Sequence, residues 1–395
     1  MSAVYCAPGN GGISEVAECV PIKIHDHAAL LEFARREEIA LTVVGPDDAL
    51  AAGMVDVFQA AGRRIFGPTA SAARLESSKV FAKEFMFRHG IPTAASGQFS
   101  SPEEARAFAA GMSTPIVVKA SGLALGKGVI IAETHAEADT AIREIMEDRK
   151  FGEAGAEVVI EEFLEGVECS IHALVDGHDY LLFPSAQDHK RALEGDQGLN
   201  TGGMGTFSPA DKVLPPHLEA RVRSEVLDRF LAGLRADGLD FQGMLFPGLM
   251  ITPTGIKVLE FNCRFGDPET QVLLARLESD LLELLEATID RRLGRTEAQW
   301  SPNSAVCVIL ASGGYPGSYT AGQTISGLAD VRCTVFHAGT KKSADGGFVT
   351  AGGRVLGVTA TGPDLAATRS AVYQEVEKIR FEGAQYRRDI GAKGL

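Results

Sequence analysis

Close to residue 256 the sequence runs IKVLEFNCRFGDP, with polar side chains at Glu260, Asn262 and Arg264, every second position. A strand sends alternate side chains to opposite faces, so these three share a face. A carboxylate and an amide oxygen held side by side suit Mg²⁺, which keeps its other positions for water and phosphate oxygens. Arg264 is then placed to steady negative charge on a transferring phosphoryl group. Polar groups that alternate along a buried strand are seldom mere packing, because leaving them unpaired costs several kcal/mol.

Three further segments carry chemistry. In VVKASGLALGKGV a strand delivers Lys119, and Gly122, Gly126, Lys127 and Gly128 form a glycine-rich loop before the next strand. Glycines let backbone N–H groups approach phosphates, and the lysines add neutralising charge. The spacing departs from a Walker A loop, which needs a longer glycine interval, a hydroxyl after the lysine and a following helix; an ordinary hairpin fits the same residues. In VIEEFLEGVE a strand enters a hinge-like stretch, where free backbone groups could read an adenine edge and a later carboxylate could bind ribose hydroxyls. An acidic surface turn is the plainer alternative. Finally, residues 187–208 (QDHKRALEGDQGLNTGGMGTFS) read as a long polar loop, of the kind that covers a site or binds a sugar phosphate.

The elements around them can be read from periodicity. Residues 3–7, 39–44 and 64–66 read as strands and 27–38 and 49–61 as helices, a rhythm that gives a parallel sheet with covering helices. Residues 76–89 read as a helix capped by Ser77 or Ser78 and stopped by Gly90 and Pro92. Lys79 and Lys83, four apart, leave its same face, and by themselves suggest a solvated one. Strands are expected at 115–120, 128–132, 157–164 and 256–262, helices at 217–237 and 270–292, and a linker at 296–304. A last unit opens with the strand AVCVIL and ends in a helix near 364–380.

Composition narrows the class. With 395 residues, 45% of them apolar, the chain is long enough for two or three globular domains. Its net charge of −14 repels polyanions and argues against nucleic acid, so phosphate must be caught locally. Six scattered cysteines without a C-x-x-C pair read as reduced thiols. The start lacks the basic and apolar regions of a signal peptide, and no apolar run spans a membrane, so the expectation is a cytoplasmic protein; a monomer is expected, although the sequence itself does not give the oligomeric state. His25 and His27 have no third ligand near them in the sequence, and no nucleophile motif of a hydrolase occurs.

Taken in order, Lys79, Lys119 with its glycine loop, EEFLEGVE and EFNCRFGDPE resemble an ATP-grasp fold. The wording SKVFAKEFM, QDHKRALEGDQGLNTGGMG, EFNCRFGDPETQ, VFHAGTKK and EKIRFEGAQYRRDIG narrows this to the glycinamide ribonucleotide synthetases, from about Ala3 to the end. The resemblance implies a multidomain α/β and α+β protein: an N-terminal parallel-sheet domain (1–75), an ATP-grasp domain (76–300) with a lid at 97–165, and a small C-terminal α+β domain (301–395). It assigns Lys79, Lys119 and Gly122–Gly128 to the ATP phosphates, Glu161 and Leu164 to the adenine hinge, and Glu168 to the ribose. Glu260 and Asn262 become ligands of Mg²⁺ or Mn²⁺, and Asp188, Arg264 and Asp267 face the substrates.

The implied activity is ATP-dependent ligation of glycine to 5-phosphoribosylamine through glycyl phosphate. Two details depart from the family: Ser121 stands where an acidic residue is usual, and Ala351 where asparagine is. A third departure carries more weight. The family opens with a strand and a glycine-rich turn ahead of the A-P-G-N-G-G segment, here Ala7–Gly12, so the chain is expected to be truncated at its N-terminus. Another ATP-grasp ligase, or an ATP-binding remnant, is the alternative.

Overall fold

The computed structural model describes residues 3–124 and 128–395. Gly126 and Lys127 of the glycine loop lie outside them.

The N-terminal part is thinner in strand than its rhythm suggests. Instead of one continuous sheet there are two separate parallel pairs, Tyr5–Cys6 with Glu18–Cys19 and Thr42–Val43 with Ile65–Phe66. The helix expected over 49–61 is interrupted at Gly53, whose φ of +83° ends one short helix (Asp47–Ala51) and begins another (Met54–Ala60). Leu50, Val55 and Phe58 from these helices close a small core with Ile65.

The segment expected as one helix over 76–89 is two. Ala70–Ser77 stops at Ser78, which is extended (φ −137°, ψ 105°), and its Oγ accepts the Phe81 N–H at 3.2 Å to start the helix Lys79–Arg88. That break moves Lys83 from the expected solvated face into the interior, where 2% of it is exposed. Phe85 from the same helix meets Phe230 and Phe261 edge to face at centroid distances of 5.6 and 6.4 Å. Each such ring contributes about 1.5–3 kcal/mol through burial.

Two antiparallel sheets frame the central cleft. The lid sheet orders Ser96–Phe99, Val158–Glu162, Ile116–Ala120 and Val129–Ala132, with helices Pro102–Ala110 and His135–Ile142 over its apolar face. The body sheet centres on Gly243–Thr252, which pairs Gly255–Asn262 on one edge and Ala173–Val175 and Val167–Ser170 on the other. A bulge at Leu259 shifts the register of Gly255–Asn262 just before Glu260. The helical stretch expected over 270–292 is broken into Glu269–Leu274 and Leu281–Ile289.

Residues 187–208 are not a loop. They form the strands Gln187–Asp188, Arg191–Leu193, Gln197–Asn200 and Gly205–Ser208, and the last of these joins the C-terminal sheet beside Ser304–Ala311. The five glycines in the segment hid the alternation that marks a strand. This sheet continues through Arg354–Gly362 to Thr334–His337 and packs on the helix Leu365–Val376. Two parts of the chain therefore share one sheet, which ties the cleft floor to the C-terminal domain.

Candidate active site

Gly255–Asn262 brings Glu260 and Asn262 to the cleft as the alternation requires, and Arg264 follows in the bend just beyond the strand's end. Glu260 is solvent-accessible along the cleft, while Asn262 is buried. The Asn262 amide is oriented by its neighbours: Nδ2 donates to the Phe246 carbonyl at 3.2 Å, and Oδ1 accepts from Arg264 at 3.2 Å. Oδ1 retains a second lone pair. One carboxylate and one amide oxygen fit a Mg²⁺ or Mn²⁺ that takes its remaining oxygens from phosphates and water. Among the described residues no cluster of three or more His, Cys, Asp or Glu competes for such an ion.

Arg264 is held from behind by a residue that pattern reading passed over. Glu76, at the end of helix Ala70–Ser77, lies 3.2 Å from the guanidinium and accepts the Cys263 N–H at 2.7 Å. Burial pushes the Glu76 carboxyl up from 4.5 to about 7, against the opposing pull of Arg264 and the Cys263 N–H.

Opposite this strand stand the lysines. Lys119 Nζ lies 2.9 Å from Glu161 Oε2 and donates to the Leu259 carbonyl at 3.3 Å. Lys79 opens its helix at the same place, its N–H bonded to the Ser121 carbonyl at 2.8 Å and its Nζ to the Gly122 carbonyl at 3.4 Å. Burial lowers the Lys79 pKa, with Glu260 opposing and Lys119 adding to the fall. At Gly122 the need for glycine is packing: a Cβ there would come within 2.6 Å of Ala154 Cα. Gly128 pairs its carbonyl with the Ala120 N–H at 2.8 Å.

Glu161 departs from the hinge reading. Its side chain points inward, between Lys119 and Lys83, because it sits in the central Val158–Glu162 strand of the lid sheet. Burial raises its pKa, but the two lysines outweigh that and the net shift is downward. Leu164 lies in the connection to Val167–Ser170, where its backbone N–H has no hydrogen-bond partner among the described residues. Glu168 is exposed on the cleft wall, yet the protein mass around the cleft still raises its carboxyl, with Lys190 opposing.

A second polar group forms the cleft floor. Lys190 Nζ lies 2.8 Å from Asp188 and 3.6 Å from Glu269. Asp188 also accepts the His189 N–H at 2.7 Å and the Thr206 hydroxyl at 3.3 Å. Burial, aided by Glu269, pushes the Asp188 carboxyl up to about 6 against Lys190. Beside them His172 is wholly buried and stacked on Phe246 at 4.2 Å. Neither of its ring nitrogens, nor Glu269 Oε2, has a hydrogen-bond partner among the described residues. Between this floor and Glu260 lies a pocket of about 40 Å³, bordered by Glu168, Ser170, Phe246 and Leu259.

Asp267, expected to face substrate, pairs with Arg354 of the C-terminal domain at 2.9 Å. The same guanidinium donates to the carbonyls of Gly202 and Asp267, each at 2.8 Å. Arg354 thus pins the Gly202-Gly203 turn to the turn that follows Arg264. Lys83, Lys190 and Glu269 stand inside the family-like segments of the sequence and Arg354 outside them, and nothing in their spacing marks them as partners.

Comparison with known proteins decides the family. Profiles of phosphoribosylglycinamide synthetase match in three consecutive parts: the N domain over residues 1–76, the ATP-grasp (A) domain over 77–270 and the C domain over 305–393. The chain belongs to the phosphoribosylglycinamide synthetase family. It is 50% identical to the phosphoribosylamine–glycine ligase of Allochromatium vinosum, over 100% of this chain and 93% of that protein. The ligase of that name from Neisseria meningitidis is 49% identical over 100% and 94%. The crystal structure of the phosphoribosylamine–glycine ligase of Thermotoga maritima superposes with a TM-score of 0.84 at 34% identity, covering 98% of this chain and 94% of that one. A biotin carboxylase from Campylobacter jejuni shares the fold alone, with a TM-score of 0.75 at 12% identity. The expected truncation is not borne out: the synthetase N-domain profile matches residues 1–76, and these relatives align along the whole chain.

Proposed function

We propose that this synthetase-family chain joins glycine to 5-phosphoribosylamine at the expense of ATP, giving glycinamide ribonucleotide, ADP and phosphate, a step of purine synthesis. A bare carboxylate does not react with an amine, because oxide would have to leave. A glycine carboxylate oxygen therefore attacks the γ-phosphorus, ADP departs, and glycyl phosphate forms. The amine then attacks the carbonyl carbon and phosphate leaves. Other ATP-grasp ligation and the inactive-remnant reading are not favoured, given the identity to named ligases along the whole chain.

The observation that carries this reading is the facing of two charge sets across one cleft: Lys79 and Lys119 on one side, Glu260, Asn262 and Arg264 on the other, with Asp188 and Lys190 on its floor. The lysines would hold the ATP phosphates, Leu164 the adenine edge and Glu168 the ribose. Bound at Glu260 and Asn262, Mg²⁺ or Mn²⁺ would neutralise phosphate charge. Arg264, fixed by Glu76, would stabilise the phosphoryl group in transit. Asp188 and Glu269 offer carboxylates to the glycine ammonium, and Lys190 a cation to its carboxylate. The protein supplies position and charge rather than a covalent nucleophile.

ADP release tests this directly. It should require both glycine and 5-phosphoribosylamine, and omission of either should stop it. Comparable turnover with unrelated acids or amines would refute the assignment.

A further inference from the structure

Lys83 takes no part in the cleft, yet it is an ammonium with 2% of its surface exposed. An apolar side chain would pack there without the cost of stripping water from a charge. Its partners show what it does instead. Nζ lies 3.0 Å from Glu161 Oε1 and donates to Thr93 Oγ1 at 2.6 Å, and that hydroxyl donates to the Val258 carbonyl at 2.6 Å. The other oxygen of the same carboxylate, Oε2, faces Lys119 at 2.9 Å. Glu161 is itself 2% exposed and Lys119 6%. The result is a buried row of cation, anion and cation. Lys119 and Glu161 come from the lid sheet, while Lys83 and the Thr93–Val258 contact come from the helix and strand beneath it.

We propose that Lys83 is a positioning residue for ATP, fixing through Glu161 the direction in which the Lys119 ammonium points. This rests on Lys119 being a phosphate ligand. The Lys119 ammonium has three N–H groups. Glu161 Oε2 and the Leu259 carbonyl engage two of them, which leaves one for a phosphate oxygen. The Lys83 ammonium sits 3.0 Å from Oε1 as an ion pair without hydrogen-bond alignment, and its charge stops the carboxylate from turning to take Lys119 with both oxygens. Without Lys83, Glu161 becomes a buried carboxylate with a single cationic partner. It then draws Lys119 inward, and the N–H meant for phosphate is lost to it.

The test is the affinity of the full chain for MgATP, measured by calorimetry without the other substrates so that no turnover intervenes. Lys83→Met should weaken binding by roughly 10-fold or more, the scale of one charged hydrogen bond. Lys83→Arg, which keeps a cation facing Oε1, should recover most of the affinity. Because Lys83 acts only through Glu161, the double variant Lys83→Met/Glu161→Gln should bind no more weakly than Glu161→Gln alone. Parental affinity in a folded Lys83→Met protein would overturn the proposal, and so would losses that multiply in the double variant. If Lys83→Met does not fold, Thr93→Val carries the test, because it removes the contact that holds Lys83 in place; unchanged affinity there would also overturn it. Lys119→Met is the control for the underlying reading. If it bound MgATP like the parent, Lys119 would be no phosphate ligand, and both statements would fall together.

Discussion

Glu260 and Asn262 leave the Gly255–Asn262 strand two residues apart, and the ligand role asks only that both oxygens reach one ion. Replacing either by alanine should lower turnover by at least ~10²-fold, the scale of losing one electrostatic stabiliser of a transition state. Melting should change little in Glu260→Ala, whose side chain is exposed, and fall in Asn262→Ala, which loses the bonds to the Phe246 carbonyl and Arg264; rates restored to parental values by excess Mg²⁺ would speak against the assignment. Glu168→Ala should raise the KM for ATP far more than it lowers kcat, because a ribose contact is equally strong in ground and transition states; an unaltered KM would reject it. Glu76 tests the support behind Arg264. Its folded pKa of about 7 lies above the ordinary 4.5, so its contribution to stability is whole below 4.5 and is lost as pH rises through 7. Glu76→Gln cannot ionise and escapes that loss. Across this window its melting temperature should gain on the parent's, and above pH 7, where the parent's Glu76 is ionised, its activity should fall below the parent's because Arg264 loses its anchoring charge; a parallel melting profile would contradict this. The sequence made Glu260, Asn262 and Arg264 legible because strand alternation is local. It could not show Glu76, whose link to Arg264 joins residues far apart in the chain.

Among the elements, the segment 187–208 departs furthest from its sequence reading. Glycine and charge suggested an open loop, yet Gly205–Ser208 is an inner strand of the C-terminal sheet, paired on both sides. Pairing with a partner about a hundred residues away overrides local composition, and periodicity within one window cannot register it. The helix 76–89 shows the reverse: its C-terminal stop and a Ser78 cap were legible, but the separate helix Ala70–Ser77 that ends just before Ser78 was not. Arg354 joins two of these elements, the Gly202-Gly203 turn and the turn ending at Asp267. Arg354→Ala should therefore raise the KM for glycine or 5-phosphoribosylamine while the KM for ATP stays near its parental value. A selective rise for ATP would place Arg354 in the wrong half of the cleft.

At the scale of the whole molecule, the lid sheet, the body sheet and the C-terminal sheet meet around one cleft, whose floor buries Asp188, Glu269 and His172. Two histidines there are kept neutral. Burial lowers both His172 and His189 from 6.5 to about 4, with Glu269 opposing in the first and the Gly205 carbonyl in the second. Their contribution to stability is present above 6.5 and is lost as pH falls through 4, because the unfolded chain takes up protons that the folded one refuses. Calorimetric melting should fall across that window, and His172→Phe, which keeps an aromatic ring beside Phe246, should flatten the decline; a flat parental profile would count against it. No helix among the described residues is long and apolar enough to cross a membrane. All of this serves one chemical claim, that the glycine carboxylate is phosphorylated before the amine attacks. Glycine carrying heavy oxygen in its carboxylate tests that claim most directly, by mass spectrometry of the released phosphate. The account predicts that one labelled oxygen passes from glycine to phosphate in each turnover. Phosphate free of label would contradict it.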